Sequence, residues 1–140
     1  ETPKRVSNSW RFLTKGYSED IDSIVNGAIF DENYDEMVTI KSIDFFSLCE
    51  HHLLPFFGKA HIAYIPNGKV IGLSKIPRIV EVFARRLQLQ ERMTQNIAET
   101  INTILNPKGV AVLLEGKFES VFKNGVLSSQ TASCEAEGSA

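Results

Sequence analysis

The sequence is poor in cysteine: Cys49 and Cys134 are the two thiols in 140 residues. They lie far apart in a chain that no charged-then-apolar leader opens, so a disulfide framework is not expected and each thiol is read by its local context. Long apolar runs are also lacking. Charge interrupts the most hydrophobic stretches well before the roughly 18 residues that a membrane span needs. Nor is there an excess of charge of one sign, because 15 Lys and Arg stand against 17 Asp and Glu, a net −2. A nucleic-acid surface needs a basic excess that this chain does not have. No repeat, low-complexity tract or Pro/Gly/Ser-rich linker divides it, although residues 133–140 have linker-like composition and are expected to form a frayed tail. What remains, 43% apolar and 23% charged residues, describes one soluble, cytoplasmic domain over residues 1–140. A chain of this length buries about two-thirds of its unfolded surface and needs neither disulfide nor metal merely to stay folded.

Periodicity gives the expected elements. Val6, Trp10 and Leu13 predict a short opening helix over residues 3–15, ended by Gly16. Residues 36–46 read as a strand whose phase jumps between Ile40 and Ile43, which predicts a bulge near Lys41-Ser42. Residues 59–65 read as a second strand, closed by Pro66-Asn67-Gly68. Ile76, Ile79, Val80, Phe83, Ala84 and Leu87 follow helical spacing, and so do Met93, Ile97, Ile101, Ile104 and Leu105 before Asn106-Pro107-Lys108-Gly109. Val110, Val112 and Leu114 open a third strand, and a fourth is expected over residues 121–129. This order predicts an α+β domain, an antiparallel sheet packed on a helix pair. Two helices cannot cover both faces of the sheet, so an uncovered face or edge is expected to meet another subunit.

The densest reactive cluster is Cys49-Glu50-His51-His52. A turn ahead of Pro55 would let the thiolate and an imidazole three residues on converge on one metal ion, and Zn²⁺ suits that pair of donors. The plainer reading is a buried thiol beside solvated histidines. Ser74-Lys75 combines a hydroxyl, a cation and free helix N–H groups, a place where phosphates bind; the plainer reading is an N-cap and a solvated charge. Arg78, Arg85, Arg86 and Arg92 could clamp anions, although helix surfaces carry such charges routinely. Gln90-Glu91 brings a carboxylate able to accept two parallel hydrogen bonds from a guanine-type N–H and amino pair, or else two solvated residues. His61 has no titratable neighbour in sequence and reads as structural. Phe45, Phe46, Phe56 and Phe57 read as core or interface.

In combination these residues resemble GTP cyclohydrolase I. The likeness runs from Glu1-Thr2-Pro3-Lys4-Arg5-Val6 through Ser47-Leu48-Cys49-Glu50-His51-His52-Leu53-Leu54-Pro55-Phe56, Gly72-Leu73-Ser74-Lys75-Ile76-Pro77-Arg78 and Arg86-Leu87-Gln88-Leu89-Gln90-Glu91-Arg92. It implies a tunnelling fold, whose small antiparallel-sheet subunits form a ring, in the family a homo-oligomeric decamer with active sites at subunit boundaries. It further implies that Cys49 and His52 hold zinc, which activates a water that attacks C8 of GTP. His51 would transfer protons, Gln90 and Glu91 would hold the guanine, and Ser74, Lys75 and Arg78 would assist ribose rearrangement and triphosphate binding. Formate and dihydroneopterin triphosphate would be the products.

The resemblance lapses after Glu115. Where the family reads Glu-Ala-x-His-x-Cys-x-x-x-Arg-Gly, this chain reads Glu115-Gly116-Lys117-Phe118-Glu119-Ser120-Val121-Phe122-Lys123-Asn124-Gly125. Phe118 stands for a catalytic histidine, Ser120 for the third zinc ligand and Asn124 for a phosphate-binding arginine, all at one strand parity. A phenyl ring neither moves protons nor binds metal, and a hydroxyl is a poor zinc ligand beside a thiolate. Zinc is therefore expected to be held weakly or not at all, with water or Cys134 as a further ligand. Two expectations stand: a cyclohydrolase, or a catalytically impaired paralogue or half-domain that binds purine or pterin ligands in a ring.

Overall fold

The two strongest helical periodicities and the alternating segments around them build the body of the molecule. A computed structural model gives the backbone of residues 1–123 and 126–139 and the side chains of residues 1–117. In chain order the elements are α1 (Thr2–Leu13), a 3₁₀ turn (Lys15–Tyr17), α2 (Ile21–Val25), β1 (Ile29–Asp31), β2 (Val38–Cys49), β3 (Pro55–Ile65) and β4 (Lys69–Ile71). They continue with α3 (Lys75–Ala84), β5 (Leu87–Gln88), α4 (Gln90–Leu105), β6 (Gly109–Lys123) and β7 (Val126–Ser139). The main sheet runs β5-β2-β3-β6-β7, and β1 pairs with β4 beside it. Every main-sheet pairing is antiparallel except the short parallel one of β5 with β2.

The core lies between one face of the sheet and the α3–α4 pair. Ile76, Ile79, Val80 and Phe83 of α3 and Met93, Ile97, Ile101 and Leu105 of α4 are buried with Phe45, Phe56, Ala60, Ile62, Tyr64, Val110, Val112 and Leu114 of the strands. Each large aliphatic or aromatic side chain withdrawn from water in this way contributes about 1.5–3 kcal/mol. The predicted bulge is present: the β2–β3 register shifts between Ile40 and Ile43, and Ser42 takes a positive φ of 59°. That extra residue turns Ile43, Phe45 and Ser47 inward while Asp44 and Phe46 stay exposed on the face that carries no helix.

Several expectations change. The opening helix stops at Leu13, and Gly16 sits in the following 3₁₀ turn. Its N–H donates to the Arg85 carbonyl at 2.9 Å, and a Cβ there would meet the Val82 carbonyl oxygen at 2.0 Å. The strand expected over residues 121–129 is instead the end of β6 and the start of β7, with Lys123 opposite Val126. Between them lies Asn124-Gly125, outside the described residues but a strong hairpin signal in sequence. Residues 133–139, expected as a frayed tail, run within β7 with Cys134 opposite Leu114. Their composition reads as linker, but Cys134, Ala136 and Gly138 alternate with Ser133, Glu135 and Glu137 at strand period. Helix α1 buries no residue. Among the described residues no helix is long and apolar enough to cross a membrane.

Candidate active site

β2 ends at Cys49, and the chain turns through Glu50, His51 and His52 before β3 begins at Pro55. Two backbone bonds close that turn. The Leu53 N–H donates to the Cys49 carbonyl and the Cys49 N–H donates to the Leu54 carbonyl, both at 2.8 Å. Leu53 takes a φ of 58°, a left-handed conformation that costs a branched-chain residue and lets the turn reverse so tightly. As a result Cys49 Sγ and His52 Nδ1 lie 3.7 Å apart, although a straight strand would have sent them to opposite faces.

That separation can be compared with a metal site. Zn–S and Zn–N bonds of about 2.3 and 2.05 Å at a tetrahedral angle put the two donors about 3.6 Å apart. The pair therefore fits one edge of a zinc tetrahedron; the same spacing also suits a thiol–imidazole hydrogen bond. Among the described residues no third His, Cys, Asp or Glu joins them. The register does bring the divergent strand to this end of the sheet. Pro55 is opposite Leu48, Phe56 is opposite Phe118, and β6 runs on past Phe118 to Ser120. The side chains of Phe118, Ser120 and Cys134, and the whole of Asn124, lie outside the described residues.

The first turn of α4 lies against the same turn. β5 pairs Gln88 with Cys49, and the Glu50 N–H donates to the Gln88 carbonyl at 3.0 Å. Glu91, in the first turn of α4, is exposed and has no cationic partner among the described residues. Gln90 is turned inward and is only 7% exposed; its Nε2 donates to the Leu114 carbonyl at 3.0 Å. Thus Gln90 braces α4 on β6 and leaves Glu91 as the outward carboxylate. Arg92 forks onto the two carboxylate oxygens of Glu50, with Nη2 at 2.9 Å from Oε1. The guanidinium holds the Glu50 carboxyl below the usual carboxylate range through those hydrogen bonds.

The cations resolve differently from the sequence expectation. Arg85 donates to Glu81 at 2.8 Å, Arg86 donates to the Gly16 carbonyl at 3.2 Å, and Arg92 is held by Glu50. All three are engaged by the protein itself. Lys75 and Arg78 have no acidic partner among the described residues, and Ser74, at the N-cap of α3, makes no side-chain cap hydrogen bond. Ser74 thus takes the N-cap position while its hydroxyl makes no capping bond. Lys75 and Arg78 are neighbours on one helix face at i, i+3, an arrangement of like charges that is mildly unfavourable until an anion sits between them. His61 is paired despite the silence of its sequence neighbours. It accepts from the Ser42 N–H at Nδ1, 3.1 Å, and its Nε2 lies 2.9 Å from Glu115 Oε2 on the face without helices.

These groups fall at opposite ends of α3. At one end the Tyr64 hydroxyl accepts from the Ile71 N–H at 3.3 Å, and Ser74 follows shortly in the chain. At the other, the Ser47 hydroxyl donates to the Arg86 carbonyl at 3.4 Å and β5 joins β2 beside Cys49. The ten residues of α3 between them span about 15 Å. Cys49, His51, His52 and Glu91 gather at one end; Ser74, Lys75 and Arg78 gather at the other.

Comparison with known proteins places this arrangement in a family. Residues 1–138 match the model for GTP cyclohydrolase I. The GTP cyclohydrolase 1 of Chlorobaculum tepidum is 61% identical over 125 residues, covering 89% of this chain and 56% of that protein. The protein of the same name from Leptospira biflexa is 57% identical over 126 residues, covering 90% and 69%. The chain thus spans little more than half the length of several of the curated relatives it matches. Among solved structures, a putative dihydroneopterin aldolase (FolB) from Vibrio cholerae superposes with a TM-score of 0.50 at 10% identity, over 76% of this chain and 98% of that one. That likeness concerns the fold alone, an α+β tunnelling fold.

Proposed function

Since the chain belongs to the GTP cyclohydrolase I family, we propose that it opens the guanine ring of GTP, releasing C8 as formate and leaving dihydroneopterin triphosphate. What supports this reading is the Cys49–His52 donor pair, 3.7 Å apart, at the strand end that β5 pairs just before α4 and its outward Glu91. Cys49 and His52 would hold a zinc ion, which when bound supplies an acidified water. His51, exposed beside His52 with ring centroids 6.0 Å apart, is free to carry protons to and from the opening ring. Glu91 accepts two hydrogen bonds from the guanine N–H and amino groups, and a site built on such a pair rejects purines lacking those donors.

The triphosphate falls to Ser74, Lys75 and Arg78. α3 sets them apart from Cys49 within one chain, and the reading joins the Cys49 half of one copy to the α3 N-terminus of another. The sheet has the means to make that contact. β7 is an edge strand, and β2 is open beyond its two-residue pairing with β5; such edges invite pairing with a further copy. This supports a homo-oligomeric ring. Zinc analysis of the pure protein and a formate-release assay with GTP test the reading together. Metal bound through Cys49, formate release, and loss of both GTP binding and turnover in Glu91→Ala are expected. Metal retained in a Cys49→Ser, His52→Ala variant, or GTP bound equally well without Glu91, would refute it.

A second reading is favoured by one stretch of sequence. Phe118, Ser120 and Asn124 stand where the family resemblance calls for a histidine, a cysteine and an arginine. On this reading the chain binds guanine or pterin ligands in the ring without turning them over, and GTP binding in the absence of formate would distinguish it.

A further inference from the structure

The Glu50–Arg92 fork joins two segments that the reaction needs in register. Glu50 lies between Cys49 and His51, and Arg92 is next to Glu91. The Glu50 carboxylate accepts from both Nη atoms of Arg92, across 42 residues of chain. Its own N–H is tied to Gln88, which precedes α4. A two-point carboxylate–guanidinium contact fixes orientation as well as distance, which a lysine cannot do. The pair is partly exposed, with side chains 29% and 46% accessible. Ion pairs in that setting add little to global stability, so what this one supplies is geometry.

We propose that Glu50 and Arg92 are positioning residues. They lock the Cys49–Leu54 turn to the first turn of α4 and so set His51 and His52 against Glu91. Neither touches the substrate: Arg92 is spent on Glu50 and adds nothing to anion binding. The inference rests on the reading of Cys49, His52 and Glu91 given above, but its physical content, a clamp between two segments, can be measured without turnover.

The experiment uses the full chain and three variants, Glu50→Gln, Arg92→Lys and the double variant. Hydrogen exchange is followed by mass spectrometry in peptides covering residues 49–54 and 89–94, and formate release is measured alongside. Each single variant is expected to speed exchange in both peptides together, although the substitution lies in only one. Thermal midpoint and zinc content should stay close to wild type. The turnover number should fall by about tenfold to a hundredfold, the scale set by small misplacements of reacting groups, and the double variant should be no worse than the worse single one. Exchange that changes only in the substituted peptide, or effects that add in the double variant, would overturn the clamp. Wild-type protein that releases no formate would defeat the cyclohydrolase reading, and exchange would still decide the clamp.

Discussion

The separation of the two half-sites along α3 makes a quantitative forecast for mixed assemblies. Lys75 begins that helix and the Cys49 turn lies beyond its far end, about 15 Å away along the axis, more than twice the reach of a lysine stem. On the shared-site reading proposed above, Lys75 of one copy serves Cys49 of another. Cys49→Ser removes the metal half and Lys75→Ala the cation half, so each variant alone should release almost no formate. Dissociated with mild denaturant, mixed in equal amounts and reassembled, the two kinds of subunit distribute at random. A site works when a Lys75→Ala subunit presents its intact Cys49 to a Cys49→Ser neighbour with an intact Lys75, which has a probability of one half times one half. About a quarter of wild-type formate release should return, falling toward zero as the mixture becomes dominated by either variant. If the mixture stays as inactive as its parts while wild-type protein taken through the same cycle regains activity, the site is not shared and the reasoning from α3 is wrong.

Gly16→Ala drives a Cβ into the Val82 and Arg85 carbonyl oxygens, 2.0 and 2.8 Å away; since backbone cannot step aside as a side chain does, a loss of about 2–3 kcal/mol in urea unfolding is expected. Asp20 caps α2 by accepting from the Ser23 hydroxyl and N–H, at 2.8 and 2.9 Å. Those two bonds, the hydroxyl's first, hold its carboxyl below the ordinary aspartate range. A depressed carboxyl stabilises the fold above its unfolded pKa and loses that contribution as pH falls through the folded value. Thermal melts should therefore show Asp20→Asn further below wild type at pH 7 than at about pH 2.5, and a constant gap would contradict the capping argument. Finally, the triple change Phe118→His, Ser120→Cys, Asn124→Arg introduces a proton carrier, a soft metal ligand and a bidentate cation. It should tighten zinc in a chelator competition and raise formate release, and unchanged values in both would mean that other groups already fill those roles.

Residues that act through their neighbours in sequence could be read from the sequence, and residues that act through distant segments could not. The convergence of Cys49 and His52 was legible because three residues, a turn and Pro55 suffice to bring them together. The bulge at Ser42 was legible as a slip in alternation, and α3 and α4 from apolar spacing, although Leu87, counted with α3 in that spacing, lies in β5. β5 was not, since two residues carry no period; yet its pairing with Cys49 is what ties the start of α4 to that turn. Arg92 and Gln90 had the same polar appearance on paper, but one turned out to clamp Glu50 and the other to brace Leu114. His61 looked isolated until the β3–β6 register set Glu115 beside it. The missed hairpin has a different cause. Val121, Phe122, Val126 and Leu127 are strand-forming on both sides of Asn124-Gly125, so propensity joined what that dipeptide divides. The identities of the reactive groups are thus local information, while the way they are held is written in pairings between strands and helices. It follows that the positioning groups, Glu50 and Arg92 foremost, are the part of this site that only a three-dimensional arrangement brings to light.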